Sequence, residues 1–287
     1  MEALLKQASQ LYAYTYFGII LVVSVMEWLV PRREMGDSVR LRWFSNFGIS
    51  ILNTVVVRSL FPFFGVGWAL FCSERHWGLF GQFSLPGWLA FAVTLIALDV
   101  VAYAQHCLFH RVPFLWRLHL THHTDQDYDF TTGVRFHPLE TMFTTSVLLG
   151  AILALGAPPI AVLVSQLLSV VISFAEHANV HLPSSLDRVL RLVVVTPDMH
   201  RIHHSREGRE TQANLASVFP WWDRLFGTYV DQPAAGHEGI IFGVAGFGER
   251  KHLTLLWMLA QPFLDAQGRA LGVGRRAAPP AGRTLAR

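Results

Sequence analysis

The sequence predicts an all-α fold, a multi-pass membrane helical bundle with a cytosolic helical cap that carries a dimetal site. Hydrophobic residues make up 52% of the 287 residues and charged residues only 15%, whereas soluble domains carry about 25% charged residues. Five long apolar stretches divide the chain, and these predict the bundle. Four compact histidine motifs predict the metal site.

The apolar stretches are long enough, or nearly so, to enter a bilayer, because a hydrocarbon core about 30 Å thick needs about 20 helical residues. They cover residues 12–30, 47–72, 86–105, 141–156 and 158–176. The first is predicted to be a retained anchor, since Pro31, Arg32 and Arg33 follow it and a small-residue cleavage site does not. Pro158 and Pro159 predict the tip of a helical hairpin between the last two stretches.

The arginines of the connecting segments predict the orientation. Segments 31–46 and 106–140 together hold seven arginines, whereas the connections on the other side hold only Lys6 and Arg75. Positive charge collects on the cytoplasmic side of membrane proteins. The bias therefore places all the histidine motifs on the cytoplasmic side, in a membrane that we expect to be a bacterial inner membrane.

Residues 1–265 are predicted to form a single integral membrane domain, with the histidine motifs in a core at about 95–230. Within it, residues 177–250 are polar enough to form the cap, and 253–264 suits an interfacial helix. The tail 266–287, rich in Ala, Arg, Gly and Pro, is predicted to be disordered. The net charge of +3 does not indicate a nucleic-acid partner, because the basic residues form no stripe.

Ten of the fourteen histidines fall into four motifs. These are His106-x-x-x-His110, His119-x-x-His122-His123, His177-x-x-x-His181 and His200-x-x-His203-His204. Helical residues three or four apart share one face, with Cβ atoms about 5–6 Å apart, so each motif can direct two imidazoles at one ion. Adjacent residues such as His122 and His123 diverge by about 100° and would serve different ions. Two such pairs predict two metals with about five ligands each.

The ligand type leaves the metal open. Imidazole suits iron, zinc, copper and nickel, and zinc competes well against ferrous iron. A metal-binding transporter is less favoured, because its ligands would lie near the bilayer midplane and these motifs lie at helix ends. A haem-binding electron carrier needs only single facing histidines. A dizinc membrane hydrolase remains the alternative to a redox enzyme.

Metal-bound histidines usually donate their second N–H to a carboxylate or a carbonyl. Asp99 lies seven residues before His106, about two turns away on the same helix face, and is the first candidate for this role. Packing of the helix through Tyr103 would explain Asp99 equally well. Glu176, Asp198, Asp125 and Asp127 are further candidates near the motifs.

Residues 95–230 resemble the fatty acid hydroxylase and sterol desaturase superfamily. The matching blocks are His106–Arg111, Leu115–His123, Thr131–Glu140, Thr196–Ser205 and Trp222–Thr228. The resemblance implies a membrane enzyme whose ten motif histidines bind two metal ions, generally iron, although zinc is possible. It implies oxygen-dependent hydroxylation or desaturation of a fatty acyl chain, a sterol or a similar lipid.

The resemblance also assigns roles around the metals. His177 and His181 match the more variable of the histidine pairs. His137 would support a ligand or serve the structure, and Asn214 would hydrogen-bond near the site. Dioxygen would be the co-substrate, and a separate ferredoxin-like or cytochrome b5-like protein would supply electrons.

Overall fold

The computed structural model describes residues 2–83 and 85–269, and the described chain is built from helices. The α-helices are α1 (Glu2–Leu29), α2 (Val39–Leu60), α3 (Val66–Glu74), α4 (Leu79–Gln82), α5 (Gly87–Arg111), α6 (Pro113–His123), α7 (Pro138–Leu155), α8 (Pro159–Glu176), α9 (Ser184–Leu190), α10 (Pro197–His203), α11 (Gly208–Thr211), α12 (Trp221–Phe226), α13 (Gly236–Gly239) and α14 (Leu255–Ala260). Short 3-10 helices lie at Phe130–Val134, Arg250–Leu253 and Gln261–Phe263. Within the described residues, extended pairing is limited to two isolated bridges. The all-α prediction is confirmed.

Four helices are long and apolar enough to cross a membrane. They are α1 over Leu5–Leu29, α5, α7 and α8, which correspond to four of the five predicted stretches. Their outward faces carry large exposed apolar side chains, such as Leu21 on α1 and Trp88 on α5. Such faces are stable against lipid and costly in water, and the chain is therefore a membrane protein.

The prediction of one spanning helix over 47–72 was wrong. The α2 helix ends at Leu60, and Gly65, with a φ of +54°, precedes the separate α3 helix. The buried face of α2 is polar and includes Arg42, Asn46 and Asn53. This helix packs its polar face towards the histidine region, which a lipid-facing span would not do.

The predicted hairpin between α7 and α8 is present. Gly156 ends α7 in the left-handed conformation, and Pro159 begins α8. A buried cluster that includes Leu98 of α5, Ile152 of α7 and Val162 of α8 joins these three helices. The α8 helix also packs against α1 and α3, so it lies at the centre of the bundle.

The region after α8 forms the cap. The predicted interfacial helix at 253–264 becomes the α14 helix and a 3-10 turn, which pack on α6 through hydrogen bonds from Thr121 to Met258 and from Arg117 to Pro262. Most of the tail that was predicted to be disordered, residues 270–287, lies outside the described residues. The single domain over 1–265 stays a prediction.

Candidate metal centre

Nine of the ten motif histidines converge in two adjoining groups. Within each group, one potential ligand atom from each residue lies within 4.8 Å of all the others. The first group, called the five-His group below, contains His106, His110, His119, His123 and His203. The second, the four-His group, contains His122, His177, His200 and His204. Eight of the nine side chains are buried, and His106 is partly buried.

Local helix geometry explains this convergence. The chain turns sharply at Val112, which is extended, and Pro113 begins α6. This corner brings the end of α5 against α6. Thr196 caps the start of α10, because its side chain accepts a hydrogen bond from the N–H of Met199. The histidines of α10 close the site from the other side.

Adjacent histidines separate between the groups. His122 and His123 at the end of α6 lie in different groups, and so do His203 and His204 at the end of α10. This is the arrangement that a divergence of about 100° per helical residue predicts. The α6 and α10 helices consequently contribute to both groups.

The ring nitrogens fit a pair of cations. Atoms without a hydrogen-bond partner in the described structure include the Nε2 atoms of His106, His119, His123, His203 and His204, the Nδ1 atoms of His122 and His200, and both nitrogens of His110. The Nε2 atom of His177 lies 3.3 Å from Nε2 of His122 and 3.1 Å from Nε2 of His200. Buried unpaired polar atoms cost about 1–3 kcal/mol each. Because an imidazole presents one nitrogen to a metal ion, two ions would satisfy one nitrogen of each ring.

Several of the imidazoles favour the protonation state that binds metal. Burial, and then the neighbouring imidazoles, hold the pKa values of five histidines well below their usual value; these are His122, His123, His200, His203 and His204. Burial lowers the pKa of His177 to about 4. Neutral imidazole is the form that coordinates a cation, so these side chains are ready to bind at neutral pH.

Glu140 is the carboxylate that directly supports a predicted ligand. Its Oε1 atom accepts a hydrogen bond of 2.6 Å from Nδ1 of His119, which leaves Nε2 of His119 to face the metal position. Sequence reasoning did not single out Glu140. The sequence did carry a signal for this role, since Glu140 is the last residue of the His137-Pro138-Leu139-Glu140 block. In the structure this block places Glu140 in the first turn of α7.

Backbone carbonyls support two more histidines of the five-His group. Nδ1 of His106 lies 2.8 Å from the carbonyl oxygen of Leu215, and Nδ1 of His203 lies 2.9 Å from that of Ala213. These carbonyls flank Asn214, which has a φ of +53° and a fully buried side chain. The local backbone therefore fixes the orientation of these two imidazoles.

Asn214 holds this backbone in place. Its amide nitrogen donates to the carbonyl oxygens of Met199 and Val230, both at 2.9 Å, and its Oδ1 accepts from the N–H of Val230 at 2.9 Å. Asn214 therefore lies beside the two histidine groups and holds the backbone on which His106 and His203 rest.

His181 is not brought to either group. Its side chain is exposed, and Nδ1 lies 3.3 Å from a guanidinium nitrogen of Arg32. The α8 helix ends at Glu176 and the chain is extended at Val180, which bridges to Pro31. The spacing of four residues from His177 therefore does not put His181 on the same helix face, and the prediction of a tenth ligand is corrected.

Asp99 also differs from the prediction. Its carboxylate accepts hydrogen bonds from the N–H groups of Val218 and Phe219, both at 3.2 Å, and from the indole of Trp222 at 2.7 Å. It anchors the cap on α5 and makes no hydrogen bond to a histidine in the described structure. His137 has the structural role, because it caps α7 by accepting from the N–H of Leu139.

Of the four other predicted carboxylates, three bind partners outside the two histidine groups. Asp125 pairs with Arg42 at 2.6 Å, Asp127 accepts from the N–H of Gly36, and Asp198 lies 3.3 Å from Arg32. Glu176 alone lies near ligands, with Oε1 3.7 Å from Nδ1 of His177 and 4.0 Å from Nε2 of His200.

Two buried arginines brace the end of α6. Arg135 donates to the carbonyl oxygen of Thr121 at 2.7 Å and to Oδ1 of Asn46 at 3.0 Å, and burial lowers its pKa to about 10. Burial raises the pKa of Asp125, but the guanidinium groups of Arg42 and Arg135 and the hydrogen bonds from Arg42 and Thr132 together lower it to about 2. This network fixes the turn that presents His122 and His123.

A cavity of about 1160 Å³ connects the membrane helices to the histidines. Side chains of α1, α2, α5, α7 and α8 line it, including Leu98, Phe109 and Phe174. At its inner end it reaches members of both groups, namely His106, His119, His122, His177 and His200. A lipid chain in the cavity would end beside both metal positions.

Fold and site together define a class: helical membrane proteins with a two-part, histidine-only pocket at the end of a lipid-sized cavity. Comparison with known proteins agrees with this class. Residues 91–228 match the model of the family described as fatty acid hydroxylase, so this segment of the chain is similar to that family. The resemblance drawn from the sequence is confirmed.

Curated relatives are lipid oxygenases from several organisms. The chain is 31% identical to human alkylglycerol monooxygenase over 58% of its own length and 36% of that protein. It is 31% identical to the ornithine lipid hydroxylase of Rhizobium tropici over 66% and 55% of the two chains. Human cholesterol 25-hydroxylase is 25% identical over 47% and 48%. The chain thus spans only part of each of these relatives, and no solved structure matches it.

Proposed function

We propose that the protein is a membrane oxidoreductase that hydroxylates or desaturates a lipid with dioxygen. The observation that carries the proposal is the cavity, which begins among the membrane helices and ends on histidines of both groups. The relatives named above are hydroxylases and monooxygenases, which favours insertion of oxygen over formation of a double bond.

The nine histidines would hold two metal ions, most suitably iron, with zinc as the competing occupant. Iron supplies the oxidising chemistry that no side chain provides for an unactivated C–H bond. His181 is left out of this ligand set, so we propose five ligands from one group and four from the other. Glu140 would keep His119 in the orientation that directs Nε2 inwards.

The residues of the chain orient the substrate and exclude water. The apolar walls of the cavity, such as Phe109 and Phe136, hold an acyl or isoprenoid chain and keep solvent away from the reacting carbon. In hydroxylation, one atom of dioxygen enters a C–H bond and the other leaves as water. The balance requires two electrons and two protons, and the electrons would come from a separate ferredoxin-like or cytochrome b5-like protein.

Activity of the metal-loaded protein in lipid nanodiscs tests the proposal. Iron-loaded and zinc-loaded samples would be given a reductant, a donor protein and, in turn, an alkylglycerol, an ornithine lipid, a sterol and a phospholipid. With ¹⁸O₂ as the oxidant, we expect oxygen uptake only with iron, together with an ¹⁸O-labelled alcohol for hydroxylation or a new double bond for desaturation. Hydrolysis by the zinc form without oxygen uptake would identify a dizinc hydrolase, and silence with full iron occupancy across all four lipid classes would refute the proposal.

Orientation is a separate part of the proposal. We infer from the arginine bias that the histidine groups lie on the cytoplasmic side. A cysteine at the exposed Glu238 position of the cap should be labelled by a membrane-impermeant maleimide only after the cells are opened. Labelling of intact spheroplasts would indicate the opposite orientation.

A further inference from the structure

A patch of exposed apolar side chains covers one side of the cap, and it is called the cap face here. It consists of Leu186, Val189, Leu192, Val193, Trp221, Leu225 and Phe226. These side chains are between 40% and 68% exposed. Contiguous apolar patches of this kind mark a contact with a membrane or a protein, whereas single exposed leucines do not.

The two halves of the cap face are joined. The indole nitrogen of Trp221 donates to the carbonyl oxygen of Leu192 at 2.8 Å, and Arg224 donates to that of Arg191 at 2.8 Å. The α12 helix is thereby fixed beside the segment that follows α9. This places the exposed side chains of α12 next to those of α9 and of the turn that follows it.

The cap face continues the surface of a membrane-spanning helix. The ring of Phe226 stacks on Tyr103 of α5, with centroids 5.5 Å apart. Asp99, one turn before Tyr103, binds Trp222 at 2.7 Å. At 1.5 Å per residue, Asp99 lies about 18 Å before the end of α5 at Arg111, so the cap face lies alongside this apolar helix and not beyond its end.

Most backbone N–H groups next to the cap face are satisfied without water. The segment 215–219 is not helical. Asp223 accepts hydrogen bonds from its first two N–H groups, at 2.8 and 3.0 Å, and Asp99 accepts from its last two, both at 3.2 Å. Irregular backbone is tolerated at membrane depth only where protein groups satisfy it. The two aspartates provide those acceptors.

We propose that the cap face is immersed in the lipid leaflet on the metal side of the membrane. Lipid is the partner favoured here because the surface is continuous with α5 and its exposed rim carries Arg188 and Arg224. Arginines beside an apolar face suit anionic head groups, and Trp221 has the amphipathic ring that is enriched at membrane interfaces. The proposal needs the membrane location of the chain but not the proposed reaction.

Depth-dependent quenching in bilayers tests this assignment. Single cysteines at Val189 and Leu225 would carry an environment-sensitive fluorophore in the full chain, reconstituted in nanodiscs of phosphatidylcholine and phosphatidylglycerol. Leu21→Cys on α1 is the lipid-facing control, and Glu238→Cys is the water-facing control. The native Cys72 and Cys107 are buried, and labelled wild-type protein gives the background.

We expect the labels at Val189 and Leu225 to emit at shorter wavelengths than the label at Glu238. Lipids with a nitroxide on the upper acyl chain should quench them several-fold more than that control, and nearly as strongly as the label at Leu21. Emission and quenching equal to those at Glu238 would overturn the proposal. A blue shift without quenching by lipid would also overturn it, because protein would then cover the face.

Discussion

Replacing Glu140 by glutamine should weaken one metal site selectively. The hydrogen bond from His119 to Glu140 is 2.6 Å long, and both side chains are 3% exposed. Hydrogen bonds to a charged group contribute about 1.5–3 kcal/mol, which corresponds to about 10-fold to 100-fold in affinity. Loss of a group that supports a metal ligand generally has the same size of effect. We therefore expect Glu140→Gln to raise the dissociation constant of the five-His group by about 10–100-fold.

Chelator competition followed by metal analysis would measure this change. Two phases are expected in the wild-type protein, one for each group, and His177→Ala would identify the phase of the four-His group. Thr141→Val is the matched control, because Thr141 follows Glu140 on α7 and its hydroxyl donates only to the carbonyl oxygen of His137. Wild-type affinity in both phases of a folded Glu140→Gln protein would refute the role given to Glu140.

Four further predictions follow from the site and its supports. His181→Ala should keep the wild-type metal content in elemental analysis, whereas His177→Ala should lose metal from the four-His group; equal losses would restore His181 as a ligand. Asn214→Ala should lower the free energy of unfolding by about 3 kcal/mol in chemical denaturation, since three side-chain hydrogen bonds of about 1 kcal/mol each are lost. Asn214→Gly keeps the left-handed backbone accessible and should lower this free energy by less. Asp99→Asn should retain both metals but lower the thermal midpoint; metal loss at an unchanged midpoint would contradict its anchoring role. The folded-state pKa values of His122, His123, His200, His203 and His204 lie below the unfolded value. The unfolded chain therefore binds more protons than the folded chain below about pH 6.5. The free energy of unfolding of the metal-free protein should then fall by more than about 1.4 kcal/mol per pH unit between about pH 7 and about pH 5. A free energy of unfolding that does not change with pH in denaturant titrations would contradict this.

Sequence periodicity predicted the parts of the site that depend on a single helix. The separation of His122 from His123 follows from helical geometry alone, and the structure places them in different groups. The same rule failed for His181, because spacing does not reveal that α8 ends at Glu176. The helix continues only as far as tertiary contacts hold it, and here the chain turns away to pair with Pro31.

Helical spacing could not predict hydrogen-bond partners that are distant in sequence. Asp99 lies on the expected face of α5, but its hydrogen-bond donors lie about 120 residues away, at Val218 and Phe219. The stretch 47–72 misled for a different reason. The mean hydropathy of the stretch concealed a break between two helices, although Pro62 and Gly65 already indicated that break. It also did not reveal that one face of α2 is polar.

The donor set has a consequence for charge. The nine imidazoles would be neutral ligands of the two proposed ions, and the nearby carboxyl groups are those of Glu140 and Glu176. Two divalent cations would bring four positive charges into a pocket of low dielectric constant, more than two carboxylates can cancel. Such an excess favours the lower oxidation state and attracts small anions. We expect azide or cyanide to bind readily, and the resting ions to resist oxidation by air more than ions in a carboxylate-rich pocket.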